Sequence, residues 1–68
     1  SVGEWYITVG YCEDSPLEIW TRRYDEFALN GVGKARLVQG KFQDFEQCQK
    51  ALLEIRNSYA EAGYHIEE

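Results

Sequence analysis

Sixty-eight residues make one domain, 1–68, with a thin core, and a chain that is 44% hydrophobic and 15% aromatic is not a disordered one. Its net charge of −5, from twelve acidic and seven basic residues, argues against non-specific nucleic-acid binding, which runs on excess Lys and Arg. It argues equally against adhesion to anionic membranes, and no apolar run approaches the ~18 residues of a membrane span.

Residues 4–11 alternate in character. Trp5, Ile7, Val9 and Tyr11 fall on one side, and Glu4, Tyr6, Thr8 and Gly10 on the other. Period two with β-branched and aromatic residues predicts a strand with one buried face. Residues 12–16 break it. Ser15-Pro16-Leu17-Glu18 then has the form of a capping box with proline at the first helical position. Leu17, Trp20, Tyr24, Phe27 and Ala28 follow at helical spacing, and Glu18–Arg22 and Arg22–Glu26 are opposite charges four apart. These signals predict a helix over 16–29. A competing reading takes Ile19 to Tyr24 as a strand from its composition and Asn30-Gly31 as a hairpin turn.

Residues 34–42 read as a further strand centred on Leu37 and Val38, with mixed residues on both faces and a weakly specified register. The helix over 45–62 has the strongest pattern in the chain. Asp44 and Gln47 are placed for its cap, and Phe45, Cys48, Leu52, Ile55, Tyr59 and Ala62 form one stripe. Gly63 is a natural stop, and Tyr64-His65-Ile66 can add a short last strand. The expected fold is an α/β (α+β) domain of order β-α-β-α-β, two helices packed on one face of a three-stranded sheet. The alternative is a three-stranded meander followed by one long helix.

A strand, a glycine–aromatic turn and a helix thus occur twice. Val9-Gly10-Tyr11 opens the first copy. The second is Arg36-Leu37-Val38-Gln39-Gly40-Lys41-Phe42, a helix with Ala51 and Leu52, and Ala62-Gly63-Tyr64. This order resembles the SPOR domain, the sporulation-related repeat that binds peptidoglycan. The resemblance implies a glycan taken on the sheet surface.

The two cysteines, Cys12 and Cys48, permit two readings. In the β-α-β frame both lie at the same end of parallel strands, where a disulfide would close a loop of about 35 residues and contribute ~3–4 kcal/mol. Alternatively they are unrelated thiols, with Cys48 a small apolar residue of the helix stripe. One histidine and two distant cysteines match no metal-site spacing, and no metal or other cofactor is expected. His65 has no Ser or Cys pattern beside it, and the pairs Glu13-Asp14 and Glu67-Glu68 lie on polar segments, so no catalytic group is assigned. Ser1 without any methionine implies the cytoplasm if it follows a removed initiator, and the periplasm if a precursor was trimmed.

The candidate binding surface is the outer sheet face: Tyr6 and Thr8, joined by Arg36, Val38 and His65. It suits a second copy of the chain, another protein or a glycan. The expected function is therefore a small non-catalytic interaction module that self-associates, with a SPOR-like glycan binder as the alternative. The first strand, whose one charge is Glu4, is expected to be a poorly guarded edge that a symmetric dimer would cover.

Overall fold

The computed structural model describes residues 5–28 and 30–67. Glu4 of the expected first strand, Leu29 at the end of the expected first helix and Glu68 of the terminal carboxylate pair lie outside the described residues.

The elements run β1 (Tyr6–Tyr11), β2 (Ile19–Arg23), β3 (Arg36–Gln39), α1 (Phe45–Glu61) and β4 (His65–Glu67). They form one sheet of order β3-β2-β1-β4. β2 is antiparallel to both of its neighbours, while β4 lies parallel to β1. The architecture follows the meander-then-helix alternative, with a fourth strand added beside β1. It is not β-α-β-α-β, and among the described residues one helix rather than two packs on the sheet.

The expected helix over 16–29 is the main correction. Ser15-Pro16-Leu17-Glu18 closes a single turn, in which the Glu18 backbone N–H donates to the Ser15 carbonyl at 3.0 Å. Serine followed by proline suits the first two positions of a β-turn as well as the start of a helix. The residues after the turn decide between them. Ile19, Trp20, Thr21 and Tyr24 are strand formers, and Ile19 and Thr21 alternate into the buried side. The β2–β3 connection also uses turn chemistry. Asn30 Oδ1 accepts from the Val32 backbone N–H at 3.0 Å, Gly31 takes φ 74°, and Tyr24 bridges Val32.

The second helix prediction holds closely, with α1 ending one residue earlier. Asp44 has extended backbone, and its Oδ1 accepts from the Gln47 backbone N–H at 2.8 Å, satisfying one of the orphan donors of the first turn. Gly63 at φ 103° turns the chain out of the helix into β4, a conformation that penalises any residue with a Cβ.

α1 covers one face of the sheet. Ile7, Val9 and Ile19 from the strands meet Cys48 and Leu52 from the helix, and Phe42, Ala51, Ile55, Tyr59, Tyr64 and Ile66 close the margins. Of the predicted helix stripe, Phe45 is half exposed at the start and Ala62 is exposed at the end. Aromatic contacts finish both ends of this layer. Trp5 packs 5.0 Å from Tyr64, with Tyr59 edge-on to Tyr64 at 5.2 Å, and Tyr11 lies 5.0 Å from Phe45. Pairing between β1 and β4 ends at Thr8 opposite Glu67. Beyond it, the Val9 carbonyl accepts instead from Arg56 Nε of the helix at 3.0 Å.

Candidate functional site

Strand alternation that buries Ile7 and Val9 turns Tyr6, Thr8 and Gly10 to the other face of the sheet. No described helix or strand lies over that face. The register assembles it in three cross-strand rows. The first is Val32, Tyr24, Tyr6 and His65, in which the Tyr24 backbone N–H donates to the Tyr6 carbonyl at 3.1 Å. In this row the rings of Tyr6 and His65 stack at 5.0 Å and 23°. The second row is Arg22, Thr8 and Glu67, a cation, a hydroxyl and a carboxylate side by side. Here Thr8 Oγ1 donates to the Arg22 carbonyl at 3.2 Å. The third row is Leu37, Trp20 and Gly10. Trp20 is half-buried, and its Nε1–H donates to Glu18 at 3.3 Å. A Cβ placed on Gly10 would meet nothing within 4 Å, so the sheet has a hollow there.

Three of the five residues assigned from the sequence thus come together: Tyr6, Thr8 and His65. Arg36 does not join them. It stands across from Thr21, which is buried on the helix side, while Leu37 takes the place opposite Trp20. A bulge sets this register. Thr21 pairs with Arg36, Trp20 with Leu37 and Ile19 with Gln39, leaving Val38 as the extra residue. The face also carries Trp20, Arg22, Tyr24, Leu37 and Glu67, which sequence reasoning did not assign. The signal for Trp20, Arg22 and Tyr24 was the strand alternation of residues 19–24, obscured by the helical spacing of the same residues.

The apolar side chains of this face are accessible. Leu37 is 50%, Tyr24 49% and Tyr6 37% exposed. The two edges of the sheet differ from it. β3 is four residues long, bulged, begins on Arg36 and is flanked by Lys34 and Lys41, and β4 is three residues long and ends on Glu67. Short length, bulges and charge are the devices that discourage strand addition. β1 was expected to be the weak edge, but it is paired on both sides and has no free edge over Tyr6–Thr8.

The titratable groups with displaced proton affinities lie on the helix side. Burial pushes the Cys48 thiol above its ordinary value, and its Sγ lies 3.6 Å from the Pro16 carbonyl as a weak donor. Burial also raises the Tyr11 phenol, with the nearby Cys48 acting in the same direction and Arg56 in the opposite one. Cys12 and Cys48 are both free thiols, and no disulfide joins them. Among the described residues no three His, Cys, Asp or Glu side chains gather as a metal site would require, and no helix is long and apolar enough to cross a membrane.

Compared with protein-family models, with curated proteins and with solved structures, the chain shows no significant match.

Proposed function

We propose that this domain is a non-catalytic protein-interaction module that associates with a second copy of itself through the open face of its sheet. The observation that carries the reading is the contrast on β1. Its buried side chains are covered by a helix, and the opposite face presents Tyr6, Tyr24 and Leu37 to solvent between guarded edges. Among the described residues only five apolar side chains are buried, so a second layer over the sheet would add substantially to a small core. A face that holds both Arg22 and Glu67 is also electrically suited to its own copy.

Sedimentation equilibrium at micromolar concentration tests the proposal. The expected mass is twice 7.9 kDa, returning to the monomer in Tyr6→Glu, which puts a charge in the aromatic row. A monomer at every concentration, unchanged by Tyr6→Glu, would overturn self-association. It would leave the same face to the alternative occupant, a glycan stacked on Tyr6 and hydrogen-bonded by Thr8, Arg22 and Glu67.

A further inference from the structure

We infer that the two copies meet face to face about a two-fold axis that runs parallel to β1 above Thr8, with Arg22 of each copy over Glu67 of the other. This geometry rests on the self-association proposed above and specifies how the two faces meet.

The second cross-strand row selects the axis. Arg22 and Glu67 flank Thr8 on opposite sides, one strand away each, and all three point to the open face. Neighbouring strands lie about 4.8 Å apart, so the cation and the carboxylate are nearly equidistant from β1. Two closed two-folds keep the strands of both sheets aligned, one along the strands and one across them. An axis along β1 exchanges left and right, so that each Arg22 faces a Glu67 and two opposite-charge pairs form. An axis across the strands keeps left and right. It sets Arg22 over Arg22 and Glu67 over Glu67, and like charges opposed in a closing interface are costly.

The other two rows agree with the first choice. Along the axis Tyr6 lies over Tyr6, and Tyr24 of each copy faces His65 of the other, so aromatic surface meets aromatic surface. In the third row a Cβ on Gly10 would meet nothing within 4 Å. Gly10 lies on β1 and so stays under the axis, where the two sheets can approach with no side chain of this residue between them. The direction of self-association is set here by one charge row.

A charge-exchange series read by sedimentation tests the geometry. Arg22→Glu and Glu67→Arg should each weaken the dimer by about tenfold or more, because each leaves two like-charge oppositions. The double variant Arg22→Glu/Glu67→Arg should recover wild-type affinity. Mixing the two single variants should give a hetero-dimer, since both of its cross-pairs are of opposite charge. Circular dichroism of the helix band accompanies each variant, and both positions are exposed, so the fold should be retained. If the wild type dimerises but the single variants do so equally well, or the double variant stays as weak as the singles, the axis is overturned while the interaction module stands. If the wild type is monomeric throughout, both fall.

Discussion

The two faces of β1 are opposites in burial. Ile7 and Val9 are 1% and 2% exposed beneath α1, whereas Tyr6 and Thr8, their immediate neighbours in sequence, are exposed. The covered face is held by aliphatic packing, by a capped helix and by the Arg56 bond to the Val9 carbonyl. The open face is ordered by the same strand ladder, yet no described helix or strand lies over its aromatic and charged side chains. Stability therefore belongs to the covered face, recognition is proposed for the other, and substitutions should separate the two.

The largest separation is expected at Leu52. Leu52→Ala removes a 5%-exposed side chain from the middle of the covered layer and should lower the unfolding free energy by ~2–5 kcal/mol in urea titration. Thr8→Ala, on the open face, should change it by no more than about 0.5 kcal/mol. A loss below about 1 kcal/mol at Leu52 would break the comparison, because the helix stripe would then not be the core. Asp44→Ala comes next. It removes the acceptor of the Gln47 N–H bond and should cost about 1 kcal/mol, loosening the first helical turn where Phe45 meets Tyr11. Equal stability of this variant would show that another group satisfies the turn.

The third test uses pH and again belongs to the covered face. Cys48 titrates above its ordinary 9.0, and Tyr11 above its ordinary 10.0, when folded. Both groups bind their protons more tightly in the folded state. Their contribution to stability is complete below pH 9 and is lost as pH rises through the folded values, because the unfolded chain deprotonates first. Urea midpoints should hold level from about pH 7 to 9 and then decline. Cys48→Ala should flatten the first part of that decline, whatever its effect on the absolute midpoint. A midpoint that rises above about pH 9 would contradict the burial of this thiol.

Much of the covered face was legible in the sequence. Alternation identified Ile7 and Val9 as inward residues, and the Asp44 cap, the Cys48–Leu52–Ile55–Tyr59 stripe and Gly63 located α1. The open face was only half legible. Tyr6 and Thr8 followed from the same alternation as Ile7, and His65 was assigned to the terminal strand. Trp20 and Tyr24 were misplaced because Leu17, Trp20, Tyr24 and Phe27 have helical spacing while Ile19–Tyr24 also alternates. Val38 and Arg36 went astray because β3 has no buried face to fix its register, and a bulge shifted it. The disulfide reading depended on a β-α-β frame that does not form.

Local chemistry by itself thus determined where one helix starts and stops and which side of β1 is buried. A cap bond, a left-handed glycine and a period of two act within a few residues. Tertiary structure decided the remainder. Only the long-range pairing of β1 with β2 turned residues 19–23 into a strand, since Ser15-Pro16 serves a turn and a helix start equally well. Only the return of β4 alongside β1 brought His65 onto Tyr6 and Glu67 beside Thr8. The row Arg22–Thr8–Glu67 draws on residues from three separate strands. No local window contains it, because it exists once the ladder has closed and not before.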